Sequence, residues 1–189
     1  MIPPVKILKI KDETELILEL GSTEISFVNG CFELPHMGYA TFFCEVLAQA
    51  NMMSLTFKIT ELRNAKYTFG HTLLIAVNDD ESFRKVRGTK PLYKWDERVD
   101  TLISCLQGLT SRNTLFSDID KIIFFKMEET NPCKLLRVVQ PGYIYKGSEY
   151  KYKQIPEKKV IKSYGGEINW IKNPVTIHGS DIKKRILEG

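Results

Sequence analysis

Glu24-Ile25-Ser26-Phe27-Val28-Asn29-Gly30-Cys31-Phe32-Glu33-Leu34-Pro35-His36-Met37-Gly38-Tyr39 changes character twice within one short stretch. Its first part, Ile25-Ser26-Phe27-Val28, is β-rich and stops at Asn29-Gly30, a pair that breaks a strand. From residue 39 to residue 50 apolar side chains recur at helical spacing. A strand, a loop and a helix therefore follow one another directly.

The same alternation continues downstream. Leu73-Leu74-Ile75-Ala76-Val77 is a continuous apolar run ending at Asn78-Asp79-Asp80, the pattern of a strand buried on both faces. Residues 96–109 carry leucines at amphipathic spacing, and Ile119-Asp120-Lys121-Ile122-Ile123-Phe124-Phe125 predicts another strand. Asn131-Pro132 opens a helix towards Val139, with proline at its favoured first position. Residues 142–145 and 166–171 read as strands, 156–163 and 180–187 as helices. Such alternation implies right-handed crossovers and a parallel sheet covered by helices on both faces. In that arrangement a ligand lies outside the carboxyl ends of the strands. Residues 29–36, 78–87, 126–129, 146–150 and 173–180 hold those positions.

Two stretches stand apart from the alternation. Residues 5–20 alternate weakly and hold Asp12-Glu13, which predicts a small hairpin or an edge extension outside the core sheet. Residues 51–70 are expected to be an insertion that folds on itself or covers an oligomer contact, and His71 a strand-entry residue without chemistry. The expected division is an N-terminal β extension over 1–23 and an α/β domain over 24–189, with the insertion near 51–70.

A chain of 189 residues suits one domain with a sizeable core. With 43% hydrophobic residues it is too apolar to remain disordered. Lys and Arg number 27 against 23 Asp and Glu, and the resulting +4 favours an anionic ligand such as phosphate while falling short of a nucleic-acid footprint. Tyr143, Tyr145, Tyr150 and Tyr152 interleave with Lys146, Lys151 and Lys153, a composition that stacks bases, but alternating strand residues explain it equally well. Nucleic acid is not the expected partner. No apolar run matches a membrane helix, and Met1-Ile2-Pro3-Pro4 lacks the layout of a secretory signal, so a cytoplasmic protein without a membrane partner is expected. Cys31, Cys44, Cys105 and Cys133 lack paired metal-ligand spacing and predict buried free thiols. A homodimer is the default expectation for an oligomer.

Residues 29–39 resemble the first signature of the cytidylyltransferase-like nucleotidylyltransferases, commonly N-G-C-F-D-x-x-H-x-G-H. Further matches follow in order: Ile75-Ala76-Val77-Asn78-Asp79-Asp80-Glu81-Ser82, Arg87-Gly88-Thr89-Lys90-Pro91 and Asp96-Glu97-Arg98. Tyr145-Lys146-Gly147-Ser148-Glu149-Tyr150 is similar to that family's V-K-G-G-D-Y, and Tyr164-Gly165-Gly166-Glu167 to its last strand approach. The pattern is most similar to the heptose-1-phosphate adenylyltransferase branch, with glycerol-3-phosphate cytidylyltransferase a more distant relative. The resemblance implies a Rossmann-like sheet and transfer of AMP or CMP from ATP or CTP to a sugar or polyol phosphate, releasing pyrophosphate. The implied partners are a nucleoside triphosphate and a small phosphorylated acceptor. Magnesium (Mg2+) is expected to arrive with the nucleotide, leaning on substrate phosphates and few protein ligands.

Carried onto this chain, the resemblance makes His36 and Lys146 the catalytic candidates and Glu33 the acceptor-binding one. Nucleotide contacts fall to Asn29, Gly30, Cys31, Phe32, Tyr39, Arg87, Lys90, Arg98, His178, Gly179 and Ser180. Gly30 is expected to let backbone amides approach the triphosphate, beside the positive end of the following helix. Two departures from the family pattern matter. Tyr39 stands where a second histidine is usual, and a tyrosine cannot become a cation near neutral pH. Residues 177–181 replace a Ser/Thr-rich helix start, leaving Ser180 as an N-cap and adding the negative charge of Asp181. Either His178 supplies the imidazole absent at Tyr39, or both changes are drift at a surface helix start. Two functions follow: an active nucleotidylyltransferase, or a weak or inactive nucleotide- or sugar-phosphate-binding protein of the same fold.

Overall fold

His71–Asn78 (β3) is buried at every position, because it lies inside the sheet with a strand on each side. One neighbour is Glu24–Gly30 (β2); the other is Lys121–Met127 (β4), which in turn pairs with the edge strand Lys6–Ile10 (β1). Beyond β2 come Tyr143–Gly147 (β5) and Glu167–Ile171 (β6), giving the order β1-β4-β3-β2-β5-β6. Every pair is parallel. The computed structural model describes residues 5–64, 70–110, 118–172 and 179–188. It has the Rossmann-like architecture that the alternation of apolar patterns implies.

Helices cover both faces. On one lie Met37–Asn64 (α2) and Trp95–Thr110 (α4), whose Phe43, Val46, Leu47, Val99, Leu102 and Leu106 pack on Val28, Leu73, Ile75 and Phe124. On the other lie Glu13–Leu20 (α1), Cys133–Val139 (α5) and Glu157–Tyr164 (α6), whose leucines, valine and isoleucine meet Phe27, Leu74, Ile123 and Ile144. Alternate residues of one strand thus feed opposite cores. Asp80–Arg87 (α3) and Gly179–Glu188 (α7) cap the carboxyl side of the sheet.

Three segments differ from the sequence expectation. Residues 13–20, grouped above with a hairpin or edge extension, form α1: Asp12 caps the Glu15 amide at 2.9 Å, and Leu16 and Leu20, four apart, are both buried. Only β1 is the edge extension, and it is hydrogen-bonded into the main sheet. Residues 51–64 do not fold on themselves but continue α2, fastened where Asn51 accepts from the Asp118 amide at 2.8 Å and Ser54 donates to the Asp118 carbonyl at 2.6 Å. The remainder of that expected insertion, 65–69, lies outside the described residues. The stretch after β3 is a helix, α3, capped by Asp79 and ended by Gly88 in the left-handed region at φ 72°. His71 opens β3, as expected, and its Nε2 pairs with Ser26 Oγ at 2.9 Å. The four cysteines are free, but only Cys31 is buried and Cys105 is exposed.

The chain passes from β2 to β3 and β4 on one side, then returns across to β5 on the other. The order therefore reverses between β2 and β5. Such a switch point is where a parallel sheet ordinarily takes its ligand, beyond the ends of these two strands, where Asn29 and Lys146 stand.

Candidate functional site

After β2 the backbone turns sharply: Phe32 adopts φ 44°, in the left-handed region that a bulky residue seldom enters. This folds the Phe32 ring over Gly30, where a Cβ would lie 2.9 Å from the ring tip. Gly30 is therefore required by the protein's own aromatic ring. Phe32 is buried in turn against Tyr39 and Phe43, each with ring centres 5.4 Å away.

His36 starts the next helix, its carbonyl accepting from the Tyr39 amide at 2.9 Å. Its ring lies over that of Tyr39, centres 4.0 Å apart and planes 33° apart. Across from it stands Gly179, the first residue of α7: a Cβ there would be 3.9 Å from His36 Cδ2 and Nε2. The loop after β2 and the start of the C-terminal helix, far apart in sequence, thus meet at one imidazole. His178 lies outside the described residues, and of Ser180 only the backbone is described.

Tyr39 does not reproduce a histidine's chemistry. Burial pushes its hydroxyl up to about 12, opposed by Arg87 and by the Glu33 backbone amide, so it stays neutral across the working pH range. Burial also raises the Cys31 thiol, against the pull of Arg87. Arg87, exposed at the end of α3, lies near enough to Cys31, Tyr39 and Tyr150 to interact with them electrostatically.

Lys146 follows from β5 to the switch point, as its strand-end position predicts, but it is not a solvated cation. Its Nζ donates to Asn29 Oδ1 at 3.2 Å and to Glu157 Oε1 at 2.8 Å, and its side chain is 11% exposed. Glu157, at the start of α6, escapes sequence reading because nothing in residues 156–163 marks a carboxylate that turns inward.

Arg98 departs furthest from its expected role. It is 1% exposed and spends its donors on the Cys31 carbonyl at 2.6 Å, the Asn78 carbonyl at 2.8 Å, the Tyr93 carbonyl at 3.1 Å and Asp80 at 2.8 Å. It clamps the ends of β2 and β3 together, with four of its five N–H donors engaged within the protein and the side chain closed off from solvent. Glu33 is likewise engaged within the protein: its Oε1 accepts from the Leu92 amide at 3.0 Å and from Lys183 at 2.9 Å. Lys183, on α7, also reaches Thr89 Oγ1 and the Lys90 carbonyl, each at 3.3 Å. Lys90 contributes a carbonyl to this knot while the residue itself is exposed. Lys183 passed unnoticed in the sequence because a lysine in an amphipathic helix ordinarily faces water.

These positions are set by the segments that follow β2, β3 and β5 together with α4, α6 and α7, which meet near the switch point. Among the described residues no three His, Cys, Asp or Glu side chains converge to hold a metal ion, and no helix is long and apolar enough to cross a membrane.

No protein-family model matches the chain. Over 146 residues it is 29% identical to the bifunctional protein HldE of Pseudomonas aeruginosa and 27% identical to that of Geotalea uraniireducens, covering 77% of this chain in each case. The HldE of Pseudomonas entomophila is 30% identical over 145 residues. These matches take in 24%, 23% and 24% of the relatives, so the chain spans about a quarter of their length. Among solved structures, the lipopolysaccharide core biosynthesis protein from Thermoplasma volcanium GSS1 aligns with a TM-score of 0.44 and 16% identity, over 82% of this chain and 98% of that one. The chain has a Rossmann-like α/β fold, and in sequence it is similar to part of the bifunctional HldE proteins.

Proposed function

We propose that this chain transfers a nucleotidyl group from ATP or CTP to a sugar or polyol phosphate. The observation that carries the proposal is His36 standing against Gly179, which joins the two segments expected to meet phosphate. In the reaction an oxygen of the acceptor phosphate attacks the α-phosphorus. The bond from that phosphorus to the bridging oxygen breaks, and pyrophosphate leaves with the electron pair. The chemistry asks mainly for positioning and positive charge. His36, the amides opening α7 and Arg87 would supply that charge around the phosphates. Magnesium enters as part of the nucleotide substrate, bound through its phosphates, and no step is assigned to a metal held by the protein.

A second reading, binding without turnover, draws on Tyr39. A neutral ring lies on His36 where a second imidazole would strengthen the phosphate contacts, and Lys146 is already neutralised by Glu157. Pyrophosphate release, measured with each of the four nucleoside triphosphates against a panel of sugar and polyol phosphates, separates the two. The enzyme reading expects acceptor-dependent release that falls about a hundred- to a thousand-fold in His36→Ala and rises in Tyr39→His. Nucleotide binding with no release from any pair would leave the binding protein.

A further inference from the structure

Gly179 and Lys183 stand four residues apart on α7, and so on one face of that helix. Both meet the loop that follows β2. A Cβ on Gly179 would lie 3.9 Å from Leu34 Cβ and from His36 Cδ2 and Nε2, and one turn further on the Lys183 ammonium reaches Glu33 Oε1 at 2.9 Å. The side chains of this ion pair are largely closed off from water, at 17% exposure for Lys183 and 13% for Glu33.

The pair holds a third segment as well. Lys183 also donates to Thr89 Oγ1 and to the Lys90 carbonyl, each at 3.3 Å, and Glu33 Oε1 accepts from the Leu92 amide at 3.0 Å. An ammonium has three N–H donors, and here three acceptors of the protein take them. Lys183 is thus spent as a tie between segments. Two residues before Thr89 comes Arg87, and three after Glu33 comes His36. These are the two side chains to which the proposed chemistry gives the phosphates, and the segments that carry them are joined through Lys183. Fixed charges act on a phosphate chain only at the right separation, and a misplacement of about 1 Å costs about a hundredfold in rate.

We propose that Lys183 is a positioning residue: through Glu33, Thr89 and Lys90 it ties α7 to residues 33–36 and 89–92, and so sets the separation of His36 and Arg87 around one phosphate chain. The inference rests on the nucleotidyl-transfer reading for the phosphate; the mechanical link from Lys183 to His36 stands on the geometry alone.

Removing Glu33 separates position from plain charge. Its loss takes away a negative charge and leaves Lys183 an unpaired cation, so charge alone predicts tighter binding of an anion, whereas loss of position predicts weaker binding. Tripolyphosphate and ATP are titrated calorimetrically, without need of turnover, into the wild type, Glu33→Ala, Lys183→Met, the double variant and Lys183→Arg, each checked for folding by thermal unfolding. Lys184→Met is the control, since Lys184 carries the same charge on the exposed side of α7 and pairs only with Glu188 among the described residues. Glu33→Ala and Lys183→Met are each expected to weaken tripolyphosphate binding about tenfold, the cost of ordering loosened groups anew. The double variant should be no more than about twofold worse than either, because both changes break one tie. Lys183→Arg and Lys184→Met should stay within about twofold of the wild type. Where pyrophosphate release is measured, kcat is expected to fall about a hundredfold in Lys183→Met and to return in Lys183→Arg.

Tripolyphosphate affinity that is unchanged or tighter in Glu33→Ala, or that is equal in Lys183→Met and Lys184→Met, reduces the pair to its charge and overturns the proposal. Should Glu33→Ala fail to fold, the comparison of the two lysine variants decides alone. The His36 ring signals in NMR spectra of the ligand-free protein, assigned by their loss in His36→Ala, are expected to move in Lys183→Met and to stay in Lys184→Met. Unmoved signals in Lys183→Met overturn the link whatever binds. If His36 responds to Lys183 but the wild type binds neither tripolyphosphate nor ATP, the tie holds and the nucleotidyl-transfer reading falls.

Discussion

Gly30 and Phe32 show how a motif residue can have its identity fixed by packing. Because a Cβ on Gly30 would meet the Phe32 ring at 2.9 Å, and that ring is held by Tyr39 and Phe43, Gly30→Ala is expected to destabilise the fold by about 1–3 kcal/mol. Urea unfolding measures it, and adding Phe32→Leu should recover part of the loss, giving a non-additive double mutant. A glycine kept only to admit phosphate would show no such recovery. Tyr39 and Tyr164 carry a pH dependence of known sign. Burial lifts both hydroxyls to about 12, whereas the unfolded chain ionises them near 10.0. Between those values the unfolded state binds fewer protons, so stability present below pH 10.0 is lost as pH rises towards about 12. Urea midpoints at about pH 9 and about pH 11.5 should fall in the wild type and fall less in the Tyr39→Phe, Tyr164→Phe double variant.

Among the elements, α7 is held in an unusual way. Asp181, Lys184, Arg185 and Ile186 are exposed, while the helix is fastened at its start beside His36 and in its middle by Lys183 on Glu33, Thr89 and Lys90. A polar fastening of this kind governs local opening more than global stability. In Lys183→Met, amide exchange within α7 is therefore expected to quicken about ten- to a hundredfold while β2, β3 and β4 keep their protection, as hydrogen-exchange mass spectrometry would show. Equal quickening throughout the sheet would mean that α7 is part of the cooperative core. The contrast with α2 is instructive: its long course is secured by apolar packing along the sheet and by Asn51 and Ser54 on the segment at Asp118.

At the level of the whole molecule, the switch point is a product of strand order. Only because β5 returns to the far side of β2 do Asn29 and Lys146 become neighbours, with Arg98 drawing the ends of β2 and β3 together beside them. A ligand bound there bridges both halves of the sheet and should stabilise the folded state as a unit. At about a hundred times its dissociation constant, a nucleotide that binds only the folded chain adds about 2.7 kcal/mol, or about 5–10 °C in Tm for a domain of this size. Thermal melts with each of the four nucleoside triphosphates check this, and a flat response to all of them would count against nucleotide binding.

Period and punctuation in the sequence determined the core strands, most of the helices between them and the side of the sheet on which a ligand would lie, because these depend on local hydrophobic patterning. The loop at residues 29–36, and the strand-end lysine at 146, were legible for the same reason. Tertiary structure alone decided what those residues touch. Whether Arg98 faces phosphate or clamps two carbonyls, whether Lys146 is free or paired with Glu157, and whether Glu33 meets an acceptor or Lys183 all turn on partners far away in the chain. A charged side chain carries no local mark of the counter-charge it will meet. Burial of that charge is set by the path of the whole polypeptide, and so it becomes visible only once the chain has folded.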